Sequence, residues 1–353
     1  MGLEMPDEET QEAIPMCNTA EPKLSILVTH YNYNNFLPSL LDNIREQSFK
    51  NDVEIVIIDD CSDVSPETII HQPIYRDLNI VFNRNEKRLF TKDTRLKAVQ
   101  TATSDYITFV DADDRFFGTS TIEKHVDEIT REDADILHFC TVRRFRNSDR
   151  RPAILNWHNP FAERLNGDEI FRTYVENMCR AHTVWGKIFK KSLWMKCMDI
   201  AKILDVRRGH EDFFLISLLF FHAKSYLGSK EICYVQSIDA KRSNVAITRA
   251  PGNLATDYHM VNGLLQYFVA NGKEMDMVEK FSVIVRGAMI SNYNLLLEST
   301  PSHSPHEDDI QVDEILRKMS EHTDTETLLK IFLTCLIMGA ECTTRSEMPG
   351  NNE

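Results

Sequence analysis

Tyr106-Ile107-Thr108-Phe109-Val110-Asp111-Ala112-Asp113-Asp114 is a short apolar run that breaks abruptly into a cluster of three acids. A run of this length reads as a strand buried in a sheet, and the acids that follow mark its carboxyl end. Upstream, Leu24-Ser25-Ile26-Leu27-Val28 has the same apolar character. It leads into a helical period through Leu37, Leu40, Leu41 and Ile44, entered past Asn34, Asn35 and an early Pro38. Val53 to Ile58 is a second strand with almost no polar alternation, as expected where both faces of a parallel sheet are covered, and it ends in Asp59-Asp60.

Continuing outward, Ile80 to Phe82 predicts a third strand and Arg95 to Ala102 a helix before the Tyr106 strand. A helix near Ile122 to Ile129 and a strand at Ile136 to Val142 extend the alternation beyond it. Strands alternating with helices predict an α/β fold, a Rossmann-like and mostly parallel sheet flanked by helices with right-handed crossovers. Ligands of such sheets bind beyond the carboxyl ends of the strands, where both acidic clusters lie.

The 353 residues, 42% hydrophobic and 27% charged, suffice for one large domain plus an appendage. The expected division is an acidic leader over 1–22, a catalytic domain over 23–250, a helical C-terminal region over 251–341 and a tail over 342–353. Apolar periods around Leu264 to Val269, Val278 to Leu297, Ile310 to Met319 and Leu328 to Met338 predict the helices of that third region. The net charge of −14 is concentrated at the ends, leaving 37 acids and 36 bases between residues 23 and 298. A nearly neutral central span without a basic stripe argues against nucleic acid as a partner.

No basic segment leads into an apolar core at the start, and no apolar run approaches the ~20 residues that span a bilayer. The expectation is a cytoplasmic protein without a transmembrane segment. The Leu328 to Met338 run leaves room for peripheral contact with the inner membrane face, for a homo-oligomer or for docking on the catalytic domain. Eight cysteines without a CxxC pair read as reduced, mostly buried thiols.

Three stretches bear on chemistry. The turn after the first strand, Thr29 to Asn35, contains no glycine, and no GxxxxGK[ST] loop occurs, which disfavours dinucleotide and P-loop sites. Asp111 and Asp113, two apart at a strand end, read either as a solvated turn or as carboxylates sharing a divalent cation that neutralises a diphosphate. Glu211-Asp212 opens the apolar run Phe213 to Phe221 and reads either as a favourable helix start or as a carboxylate base beside an apolar wall. Lys187, Arg207, Arg208, Lys241 and Arg242 are the basic candidates for diphosphate contact, Arg242 being favoured for its place in a loop after a Glu231 to Gln236 strand. Tyr33, Trp185 and Trp194 are candidates for an aromatic platform under a ligand, Trp194 reading more simply as core.

Taken in order, these residues resemble the family-two glycosyltransferases of GT-A fold. Leu24 to Asn32 looks like the opening strand of that family, although His30 replaces the commoner residue before the Tyr-Asn. Gln47-Ser48-Phe49 before Val53 to Ser62 is similar to the step into its Asp-Asp-x-Ser strand. Arg95 fits the arginine of the helix before Ser104-Asp105-Tyr106-Ile107, with Ser104 where many members carry Gly. Asp111 to Asp114 matches the metal-binding Asp-x-Asp-Asp, Trp185 to Leu193 the acceptor-side strand and helix, and Glu211-Asp212 the Glu-Asp pair. The resemblance covers about Lys23 to Asn244.

The resemblance implies transfer of a sugar, with inversion, from a nucleotide diphosphosugar, UDP-linked by frequency, to a hydroxyl of a glycan or lipid-linked acceptor in surface polysaccharide synthesis. It implies that Thr29 and Tyr31 line the nucleotide pocket, Asp60 meets the base, and Arg95 sits near the nucleotide or its phosphates. Asp113 and Asp111 would hold Mn2+ or Mg2+, Asp111 also near the ribose, with Asp114 supporting the metal or facing the sugar. Asp212 would be the general base and Glu211 would position the acceptor. Competing readings are a catalytically silent nucleotide-sugar-binding scaffold, which Asp212 argues against, and a nucleotidyltransferase, whose Gly-rich basic loop is missing.

Overall fold

The computed structural model describes residues 21–145, 159–177, 179, 181–203, 211–238 and 252–286. Its first half is the expected alternation: β1 (Leu24–His30), α1 (Leu37–Arg45), β2 (Val53–Asp59), α2 (Glu67–Ile70), β3 (Ile80–Arg84), α3 (Phe90–Thr101) and β4 (Tyr106–Phe109). The second half adds β5 (Arg115–Phe116), α4 (Thr121–Glu132), β6 (Ile136–Phe145), β7 (Arg164–Asn166), α5 (Asp168–Glu176) and β8 (Lys187–Lys190). It ends with α6 (Lys191–Ile203), α7 (Glu211–His222), β9 (Ser225–Ile238), α8 (Gly252–Ala270) and a further helical stretch at 275–286.

The nine strands of the described residues join one sheet in the order β3-β2-β1-β4-β8-β6-β9-β5, with β7 paired to β9. The strands β3, β2, β1 and β4 run parallel. Beyond them β8 is antiparallel to both β4 and β6, β6 and β9 are parallel, and β5 and β7 are antiparallel to β9. Chain order reverses across the β1–β4 pair, the place where an open α/β sheet leaves a crevice at its carboxyl edge. That crevice positions the acids.

Every residue of β2 is buried, which explains its missing polar alternation. Leu27, Val56, Ile58 and Ile107 face one side, packing with Leu96 and Val99 of α3, Trp194 of α6 and Phe214 of α7. Ile26, Val28, Ile55 and Ile57 face the other, with Leu40, Leu41 and Ile44 of α1 and Val126 and Ile129 of α4. At roughly 1.5–3 kcal/mol per fully buried aliphatic or aromatic side chain, these two layers clamp the sheet from both sides. The helices at 252–286 extend the first layer: Phe268 and Phe281 pack on Phe171, and Phe268 also stacks on Phe221.

Two boundaries differ from the sequence reading. α3 begins at Phe90, a turn and more before Arg95, because its opening residues are polar yet buried at Lys92 and Thr94, so the apolar period starts late. β9 begins at Ser225, six residues before Glu231, running through Gly228, where a Cβ would collide with the Ala162 carbonyl oxygen. Among the described residues Cys61, Cys140, Cys179, Cys197 and Cys233 are free thiols, all but Cys61 buried. No helix among them is long and apolar enough to cross a membrane. The apolar runs Ile310 to Met319 and Leu328 to Met338, Arg207, Arg208, Lys241 and Arg242 lie outside the described residues.

Candidate active site

Arg95 is the centre of the site. It projects from α3 with 6% of its side chain exposed, and its guanidinium meets carboxylates from two other elements. Nη1 donates to Oδ1 of Asp212 and lies 4.0 Å from Oε1 of Glu211, while Nη2 lies 3.7 Å from Oδ1 of Asp111. Asp111 follows β4, and Glu211 and Asp212 open α7, where acids in the first turn also oppose the helix dipole favourably. The three acids are brought together by a cation that the resemblance placed near the nucleotide or its phosphates.

Charge crowding marks this cluster. Burial opposes the Arg95 charge, but Asp212, Asp111 and Glu211 outweigh it and raise the guanidinium pKa. Asp111 is raised to about 6, first by the low-polarity surroundings and then by Asp212, Asp113 and Glu211, against the pull of Arg95. With 38% of its side chain open to solvent, Asp111 is also within reach of water, and Asp212, Asp113 and Glu211 add to the upward shift in the same direction. Two buried polar atoms, Arg95 Nε and Glu211 Oε2, have no hydrogen-bond partner among the described residues. Such atoms are costly unless a bound molecule satisfies them.

Asp114 is held differently. Its Oδ2 accepts a hydrogen bond from the Tyr234 hydroxyl at 2.6 Å and its Oδ1 one from Ser237 N–H at 2.6 Å, while the Tyr234 oxygen accepts from Asp111 N–H at 3.2 Å. Burial, then the Asp111 and Asp113 charges, push the Asp114 carboxyl well above its ordinary range. Tyr234 itself stacks on Trp185, with ring centroids 5.1 Å apart and planes within 4°. This tyrosine therefore fixes the backbone of the acidic turn. In sequence it reads only as a strand aromatic.

Asp60 and Tyr31 belong to a neighbouring group. Asp60 Oδ1 accepts from Asn85 Nδ2 at 2.9 Å and from Leu89 N–H at 2.7 Å, and Oδ2 from Phe90 N–H at 2.8 Å. Its carboxylate thus caps the start of α3 from outside, in place of a side chain at the Leu89 cap position. Phe90 adopts φ +65°, a left-handed conformation that a bulky residue takes only when its surroundings enforce it. The capped turn carries Arg88, whose guanidinium carbon lies 3.8 Å from the Tyr31 ring centroid and 4.8 Å from that of Phe90. Thr29 lies in β1, in register with Ile58 of β2.

Beneath these turns lies a polar network. Asp59 Oδ1 meets His30 Nδ1 at 2.9 Å and accepts from the Ser62 hydroxyl, while Arg84 Nη1 lies 3.2 Å from its Oδ2. His30 is thus a partner of Asp59 in the wall under the site.

Lys187 does not face a ligand. It is fully buried, its ammonium donates to the Thr183 carbonyl at 2.7 Å, and burial lowers its pKa to about 7 against the opposing pull of Asp212. The expectation of a diphosphate contact is corrected: Lys187 works from inside the fold. Trp194 is likewise core, tilted against Phe109 and edge-on to Phe189.

Among the described residues no three His, Cys, Asp or Glu side chains converge as a metal cage. Asp111 and Asp113 nevertheless supply the hard oxygen donors that Mg2+ or Mn2+ prefers, and one or two carboxylates completed by substrate phosphates is a usual way to hold Mg2+. The crowding of Asp111 by Asp212, Asp113 and Glu211, which Arg95 offsets only in part, fits a further positive charge at this place.

Residues 25–192 match the family model described as Glycosyl transferase family 2. The chain is 24% identical over 224 residues to the glycosyltransferase GlyA of Streptococcus pneumoniae, covering 61% of this chain and 30% of that protein. It is 31% identical over 94 residues to the amylovoran biosynthesis glycosyltransferase AmsB of Erwinia amylovora, covering 26% of this chain and 31% of that protein. The chain spans about a third of the length of these curated relatives. Among solved structures, S. aureus TarS 1-349 in complex with UDP superposes with a TM-score of 0.50 at 16% identity, covering 94% of each chain. The shared fold is the GT-A type, a curled central sheet flanked by helices.

Proposed function

We propose, from the match of residues 25–192 to the model of glycosyl transferase family 2, that the protein transfers a sugar from a nucleotide diphosphosugar to an acceptor hydroxyl with inversion. The observation that carries the reading is the convergence of Asp111, Glu211 and Asp212 on the buried Arg95 at the crevice where strand order reverses. It joins Asp111, the acid after β4 on the diphosphate side, to the acceptor-side acids of α7.

In this reading Asp212 takes the proton of the acceptor hydroxyl as the oxygen bonds to the anomeric carbon, and the bond from that carbon to the diphosphate oxygen breaks. Nucleoside diphosphate leaves on the opposite face, so the configuration inverts. Arg95 fixes the Asp212 carboxylate through Oδ1, and Oδ2 is the atom this reading gives to the acceptor proton. Glu211, whose Oε2 has no partner among the described residues, positions the acceptor. Asp113 and Asp111 would hold a divalent cation that supplies positive charge to the departing diphosphate. Thr29 and Tyr31 line the nucleotide pocket, Asp60 shapes its edge through the turn it caps, Asp114 supports the metal-side turn, and Arg242 contacts the diphosphate.

We assign UDP as the donor nucleotide, the ligand named with the TarS structure, and surface glycan synthesis at the cytoplasmic side of a membrane as the setting. The name of the Erwinia relative points the same way. A panel of nucleotide sugars incubated with the purified chain, with and without Mn2+, tests the reading. Release of nucleoside diphosphate from a uridine donor supports it, and an inert panel together with absent UDP binding overturns it.

A further inference from the structure

Arg115 forms half of β5, directly after Asp114, and pairs with Val235 of β9. Arg144 lies near the end of β6 and pairs with Ser237 of β9, two residues further along. Because side chains alternate along a strand and cross-strand partners share a face, Arg115 and Arg144 project from the same face of the sheet. Arg143 between them points the other way, where its Nε donates to Gln236 at 2.9 Å.

The two charges act on each other. Burial, and next the Arg144 charge, lower the Arg115 pKa, and no carboxylate among the described residues compensates either guanidinium. Arg144 is exposed and Arg115 half-buried, so both are open to a ligand. In a chain of net charge −14, two adjacent arginines without an acidic partner among the described residues stand out. The sequence that follows both strands has the same sign: residues 146–158 and 239–251 together carry six bases and two acids.

We propose that Arg115 and Arg144 form a subsite for an oxyanion, phosphate or carboxylate, carried by the acceptor. The assignment to the acceptor rests on the transferase reading, in which the donor diphosphate has its own partners at Asp111, Asp113 and Arg242. The pair lies instead on the β6-β9-β5 side of the sheet, and α7, which carries Asp212, runs directly into β9. Ser237 N–H, one strand from Arg144, binds Asp114, so the subsite adjoins the acidic turn. Guanidinium forks suit planar or tetrahedral oxyanions through paired N–H donors.

Equilibrium binding of glucose, glucose 6-phosphate and glucuronate to the full chain at low salt, with UDP titrated separately, tests this. The wild type should bind at least one anionic sugar about tenfold tighter than glucose, the phosphate and carboxylate arms identifying the group. Arg115→Gln combined with Arg144→Gln should abolish that preference and leave UDP affinity within about twofold. Equal binding of all three sugars by the wild type overturns the proposal, as does a preference that survives the double substitution or a variant that loses UDP alone. If the Gln variant loses both ligands, Arg115→Lys with Arg144→Lys decides: a recovered anion preference supports the subsite and its absence rejects it. Failure of UDP to bind the wild type would count against the transferase reading and leave the anion result to stand separately.

Discussion

Arg95 and Asp212, 117 residues apart in the chain, meet through a direct hydrogen bond in the interior of the site. The contact ties α3, which lies against β1 and β2, to α7, which leads toward β9. It makes the two halves of the crevice electrostatically dependent on one arginine.

Arg95→Lys keeps one positive charge but loses the fork that reaches both Asp111 and Asp212. Sugar transfer should fall by about 10–100-fold through misplacement of the carboxylates. Arg95→Met, which leaves three acids uncompensated, should lower unfolding stability by about 3 kcal/mol, measured by urea titration.

Asp113→Ala should leave the melting temperature near that of the wild type, since the residue lies in a partly exposed turn. Turnover should drop at least tenfold, and calorimetric Mn2+ binding in the presence of UDP should weaken in parallel. Full activity of this variant, or of the wild type in excess chelator, would contradict a cation at this position.

Much of this arrangement is legible in the sequence because the acids follow buried strands. The apolar runs before Asp59-Asp60 and Asp111 to Asp114 place those carboxylates at the sheet edge, and Glu211-Asp212 before an apolar run announces a helix start. Tyr234 is not legible, because a strand aromatic looks the same whether it packs or also bridges a turn. The left-handed Phe90 is hidden because its conformation is imposed by Asp60, 30 residues away in sequence. Lys187 misleads for a related reason: lysine is so rarely buried that composition alone points it outward.

Lys187 also gives the fold a pH signature. Its folded-state pKa of about 7 lies below the ordinary lysine value of 10.5. Below about pH 7 it is charged in both states, and the full cost of burying it is felt. Between 7 and 10.5 only the unfolded chain holds the proton, so the penalty fades and stability from this group rises with pH. Lys187→Met should therefore gain stability relative to wild type most at pH 6–7 and lose about 2 kcal/mol of that gain by pH 10, after allowance for relaxation around the site. Because Asp212 supports the Lys187 charge, Asp212→Asn should shift the lysine titration further down, as read by NMR of the side-chain amine.

The most direct measurement is the single-turnover rate and product stereochemistry of Asp212→Asn with a uridine diphosphosugar and its acceptor. Asparagine keeps the size of the side chain while removing the proton acceptor, and general base catalysis contributes ~10²–10⁴-fold. The account predicts that donor affinity persists, transfer falls by that factor, and the wild-type product has the anomeric configuration opposite to the donor's. Transfer at the wild-type rate by Asp212→Asn, or a wild-type product that retains the donor configuration, would contradict it.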